Sequence, residues 1–177
     1  MTSSLSRKKR VLYICQENAG RSIMAEAITN HFSGGSIRAY SAGVAPRPTI
    51  PKLVLRVLES HGIPTANMHT RSIASMHGPL APKFDYVFSL CNQTLGESCP
   101  EWNGQPIRSR WNIPSPRICA TAEEQFAEIQ SVYDIILRSV NAFLNLPIDV
   151  MEKFAVSKVE DDAMRLAELS APSLVSA

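Results

Sequence analysis

Val11-Leu12-Tyr13-Ile14-Cys15-Gln16-Glu17-Asn18-Ala19-Gly20-Arg21-Ser22-Ile23-Met24-Ala25-Glu26 decides how this 177-residue chain is read. Val11 to Ile14 is a short apolar run rich in β-formers, the signature of a buried strand. Met24-Ala25-Glu26-Ala27-Ile28 reads as helix. The loop between them starts at Cys15 and closes on Arg21. A strand, a tight loop and a helix N-terminus make an anion cradle, because free backbone N–H groups converge there and the helix dipole adds positive charge. Arg21 adds a planar fork suited to a tetrahedral oxyanion. Gln16, Glu17, Asn18, Ala19, Gly20 and Ser22 are therefore candidate substrate-binding positions.

The same field acts on Cys15. A helix N-terminus and a nearby guanidinium favour the thiolate, which is the nucleophilic form. Asn18 tolerates a left-handed backbone, Gly20 lets the loop turn tightly, and Ser22 can donate a hydrogen bond to the sulfur. A cysteine at a strand end is often an inert buried thiol. Here the strand before, the helix after and the Asn, Gly and Ser around it argue for a reactive one. Of the four cysteines, only Cys15 has an arginine six residues on. A nucleotide-type P-loop fits less well, since no Gly-Lys-Ser/Thr occurs.

Cys-x-x-Asn-x-x-Arg-Ser followed by Met-Ala-Glu resembles the low-molecular-weight protein tyrosine phosphatases. Asn-Ala-Gly-Arg-Ser looks more like the version found in the thiol-linked arsenate reductases of that superfamily. Ser41-Ala42-Gly43 matches the family's Ser-Ala-Gly after its second strand. The resemblance covers about residues 10–145. It implies that Cys15 attacks the oxyanion, Arg21 binds it, Ser22 supports the thiolate, and Asn18 holds the loop with help from Ser41.

Composition sets wider bounds. The length suits one domain with a sizeable core. A net charge of +2 argues for neither nucleic acid nor membrane. No apolar run approaches the ~20 residues of a membrane span. The polar, basic start has no hydrophobic segment behind it, so it is not a secretory signal. Residues 1–9 are expected to be a disordered basic tail. Four irregularly spaced cysteines suggest a reducing cytoplasm and reactive thiols. No paired spacing of Cys or His suggests a metal site, and no bound cofactor is expected.

Along the chain, a helix is expected from Ser22 to Phe32, ending at Gly34-Gly35. A strand follows at Ile37 to Tyr40. A second helix runs from Pro51 to about His61-Gly62. Asp85 to Leu90 is the clearest later strand, and Arg108 to Ile113 a weaker one. Ala122 to Leu144 is the longest helix, with Phe126, Ile129, Val132, Tyr133, Ile136, Val140 and Phe143 on one face. The alternation argues for an α/β fold, an open parallel four-stranded sheet with helices on both faces. The reactive loop lies at the carboxyl end of the first strand, where such sheets put ligands. The domain is expected to span 10–146. Pro147 breaks the long helix, and 147–177 reads as an extra helix that could pack on the domain, pair two subunits or fray.

Cys91 follows a strand, as Cys15 does, and Cys99 lies eight positions on. In the similar thioredoxin-linked reductases, one such cysteine resolves the arsenic adduct and a second makes a disulfide with the first. The spacing here is one residue longer than usual there. The resemblance thus implies arsenate reduction using Cys15, Cys91 and Cys99, with thioredoxin or a small thiol as reductant. Two alternatives stand beside it. One is hydrolysis of a phosphate monoester, which needs no second thiol. The other is a non-catalytic module that binds oxyanions. Ser115 stands where the superfamily usually carries an aspartate before proline, which protonates the leaving group. Glu17 inside a cradle for anions is a second oddity, and it is expected to point outward.

Overall fold

The structure is a computed structural model, and it describes residues 7–91 and 102–146. Four parallel strands form the sheet: β1 (Lys9–Cys15), β2 (Ile37–Gly43), β3 (Tyr86–Ser89) and β4 (Ile107–Arg110). Their order is β2-β1-β3-β4. The long helices are α1 (Arg21–Phe32), α2 (Lys52–Ser60) and α3 (Ala122–Leu144). A short 3-10 helix spans Ile73–Met76.

Period-two alternation along β1 sends its side chains to two buried layers. Tyr13 points toward α1, where its hydroxyl meets Thr29 Oγ1 at 2.8 Å. On that face Tyr13, Phe88, Trp111 and Phe143 of α3 form a ring-on-ring cluster. Leu12 and Ile14 point the other way, into a cluster with Met76, Phe84 and Trp102. Both faces of the sheet are therefore covered, which is why β1 is apolar from Val11 to Cys15. Truncating Leu12 or Ile14 to alanine should cost about 2–5 kcal/mol of stability.

Several boundaries move from those expected. β1 begins at Lys9, inside the segment expected to be tail, and Arg7 pairs with Asp85 at 2.7 Å. Asp85 does not join β3. Its carboxylate instead accepts the Arg10 N–H at 2.7 Å and so fixes the start of the sheet. β4 stops at Arg110 rather than Ile113, although the Trp111 and Ile113 N–H groups still donate to the Ser89 and Leu90 carbonyls. Helix α3 keeps its expected span. Its start is held by a reciprocal pair: Thr121 Oγ1 accepts the Glu124 N–H, and the Glu124 carboxylate accepts the Thr121 N–H, both at 3.2 Å. Phe126 lies only half-buried under Arg56, while Ile129 to Phe143 fill the core face. The expected helix beyond Pro147 lies outside the described residues.

Candidate active site

Cys15 ends β1 and is buried; it pairs with Gly43 of β2, while Ile14 before it pairs with Ser89 of β3. The loop that follows is strapped from behind. The carbonyls of Cys15, Gln16 and Glu17 accept the N–H groups of Val44, Ala45 and Arg47 at 3.3, 2.9 and 2.9 Å. In a trans peptide the N–H points opposite to the carbonyl. The amides of Gln16, Glu17 and Asn18 are thereby turned to the far side, toward the sulfur and the cleft. The Asn18 N–H donates to Cys15 Sγ at 3.2 Å. Helix α1 then opens at Arg21 with no side-chain cap and no acid in its first turn, so its orphan N–H groups stay available.

Asn18 organises the loop. It has φ 45°, the left-handed region expected of it. Its side-chain NH₂ donates to Ser22 Oγ at 2.9 Å and Ser41 Oγ at 2.8 Å. Its carbonyl oxygen accepts the Arg71 N–H at 2.6 Å. These three bonds fix which way the amide faces, and with it the direction of every hydroxyl. Ser41, having accepted from Asn18, donates to Glu26 Oε2 at 2.5 Å. Ser22, having accepted likewise, keeps its proton for Cys15 Sγ, 2.8 Å away. Arg71 closes the network through both carboxylate oxygens of Glu26, at 3.1 and 3.0 Å. Burial raises the Glu26 carboxyl above the usual carboxylate range, partly offset by Ser41 and Arg71.

The tight turn has a different glycine from the one expected. A side chain at Gly20 would meet open space, whereas a Cβ on Gly43 would lie 2.7 Å from the Asn18 nitrogen. Gly43 is therefore the residue whose missing side chain admits the loop. It belongs to the Ser-Ala-Gly signature, which was the sequence signal for it.

The loop opens onto a cleft of about 1060 Å³. Cys15, Gln16, Glu17, Ala19, Gly20, Arg21 and Cys91 all line it. Asn18 and Ser22, expected to bind substrate, do not; their side chains sit buried behind the loop. Arg21 Nη1 donates to the carbonyls of Ile113 at 2.8 Å and Leu90 at 3.4 Å, tying the guanidinium across the cleft. Glu17 points outward, as expected, and pairs with Arg47. Ser115 lines the opposite wall, and Cys99 lies outside the described residues. Glu26, Arg71 and Gly43 were missed as parts of the site. Among the described residues, no cluster of His, Cys, Asp or Glu could hold a metal ion, and no helix is long and apolar enough to cross a membrane.

Such a site can hold a tetrahedral oxyanion between backbone amides and a guanidinium, with a buried sulfur beside it. Residues 10–153 match the family profile described as low molecular weight phosphotyrosine protein phosphatase, and the chain belongs to that family. Within it, the chain is 29% identical over 136 residues to an arsenate reductase of Bacillus subtilis (strain 168), covering 76% of this chain and 94% of that one. A solved thioredoxin-dependent arsenate reductase of Corynebacterium glutamicum is 26% identical, with a TM-score of 0.53. That match covers 78% of this chain and 64% of the solved one. An arsenate reductase solved in its phosphate-binding state shares the fold, with a TM-score of 0.64 at 24% identity. It covers 77% of this chain and 96% of the other.

Proposed function

We propose that the chain is a thiol-dependent arsenate reductase with Cys15 as nucleophile. The Cys15 thiolate attacks arsenic of a protonated arsenate anion: an S–As bond forms, one As–OH bond breaks, and that hydroxyl leaves as water with a proton taken from solvent. Arg21 and the loop amides hold the remaining oxygens as charge shifts. The Cys91 thiolate then attacks Cys15 Sγ. An S–S bond forms, the S–As bond breaks, and its electron pair stays on arsenic, which leaves as arsenite. Cys99 could exchange into that disulfide, and a dithiol such as thioredoxin returns the thiols. This chemistry suits a reducing cytoplasm.

The observation that carries the reading is that Cys15 and Cys91 line one cleft in which, among the described residues, the only carboxylate is Glu17. Glu17 is already engaged by Arg47. A second thiol is present, and among the described residues lining the cleft no unpaired carboxylate stands ready to protonate an ester's leaving group. The names of the relatives support the same choice. Hydrolysis of phosphate monoesters is the second reading. It is favoured by the family itself and by a cleft far larger than an inorganic oxyanion.

The test is to give purified protein arsenate with thioredoxin or a small thiol, and separately an aryl phosphate. Cys91→Ser should lose arsenate reduction and keep any phosphatase activity. No effect on either would remove the thiol shuttle. Turnover no faster than that of Cys15→Ser would remove both enzymatic readings.

A further inference from the structure

Glu17 is a carboxylate built into a loop whose work is to attract anions. Its backbone lies in the cradle, and its side chain stands at the rim of the cleft. Arg47 lines the same cleft and holds that carboxylate from two directions. Nε meets Oε2 at 2.8 Å and Nη2 meets Oε1 at 3.1 Å. The Arg47 N–H also donates to the Glu17 carbonyl at 2.9 Å. Side chain and main chain of one residue thus grip both ends of the other. Pro46 and Pro48 flank Arg47 and restrict the backbone that presents it.

We propose that Arg47 is a positioning residue for oxyanion binding: it neutralises Glu17 and swings that carboxylate away from the cradle. The idea rests on the oxyanion-binding reading above and says how this loop tolerates its acid. Left alone, the Glu17 carboxylate at the rim would repel a bound dianion through partly solvated space. The paired guanidinium cancels that repulsion without touching the oxyanion. The pairing is fork-to-fork, the geometry in which arginine outperforms lysine. Both side chains are about half exposed, so the pair's contribution is electrostatic rather than a matter of core packing.

The test measures inorganic phosphate binding, by calorimetry or as competitive inhibition, in wild type, R47A, R47K and E17Q/R47A. At low salt, R47A should raise the phosphate Kd roughly three- to tenfold. R47K should recover only part of the affinity, because lysine restores the charge but not the fork. E17Q/R47A should return to within about twofold of wild type, because the charge Arg47 cancels is gone. Added salt should shrink the R47A defect. Thermal melts confirm that each variant is folded. Unchanged binding in R47A overturns the proposal, and so does a double variant as weak as R47A. A wild type that binds phosphate but fails to reduce arsenate would sink the proposed activity and leave this test intact. A wild type that binds no phosphate overturns both.

Discussion

Two loops leave the carboxyl edge of one sheet and face each other across the cleft, and they are built on opposite principles. Behind the loop after β1, the polar side chains of Asn18, Ser22 and Ser41 are buried and bonded to one another or to Glu26 and Arg71. The loop after β4 is an exposed rim. Ile118 there is 98% exposed, and Pro114 and Ser115 are open to solvent. That rim is held by Ile113, which bonds to Arg21 and Leu90, and by contacts to α3. Arg117 grips Glu128, and Gln125 bonds to the Arg117 carbonyl and the Cys119 N–H. A nucleophile needs its hydrogen bonds fixed in a low dielectric, where an unpaired polar group is costly. A group at the mouth carries no such burden. A change at Ser115 should therefore leave the fold undisturbed.

The largest effect should come from rebuilding the rim. Ser115→Asp supplies a leaving-group acid and should speed hydrolysis of an aryl phosphate with a poor leaving group by about 10²–10⁴-fold. Arsenate reduction should change little. An unchanged ester rate would show that the rim does not reach the leaving group. A smaller effect is expected from the opposite wall. Asn18→Ala removes three hydrogen bonds and puts alanine at a positive φ. Activity should fall about ten- to a hundredfold, and stability by roughly 1–3 kcal/mol in denaturant titration. Wild-type values in both would mean that the network is ornamental.

The smallest effect concerns Glu26. The folded protein holds its proton more tightly than the unfolded chain does, because burial outweighs Ser41 and Arg71. The stability this group contributes is complete below its unfolded titration, near pH 4–5, and is lost as pH rises through the higher folded value. Glu26→Gln removes that titration. The melting temperature of wild type should therefore lose ground to the variant as pH rises across that window. A constant difference between the two would contradict the assignment.

Much of this was legible in the residues. Val11–Ile14 announced the central strand, and Asn18 its left-handed turn, because each depends on local preference. The cradle could be read because strand, loop and helix are contiguous. What stayed hidden depends on contacts between distant segments. Arg71 meets Asn18 across 53 positions, and Arg47 meets Glu17 across 30. Glu26 looked like an ordinary helical acid, since nothing local says that its side chain faces Ser41. The end of β4 was misread because apolar Trp111 and Ile113 continued the pattern past Arg110, where the regular pairing with β3 ends. Ile113 still points inward, held by a bond from its N–H to the Leu90 carbonyl at 3.2 Å.

Gly43 carries a lesson for anyone who would graft this chemistry elsewhere. Because that position tolerates no methyl group, the end of β2 works as a mould against which the neighbouring segment is cast. Transplanting residues 15–22 by themselves into a new host would bring the sulfur and the arginine but leave three carbonyls unmet. The portable unit is discontinuous, and it has to include the stretch from Ser41 to Arg47.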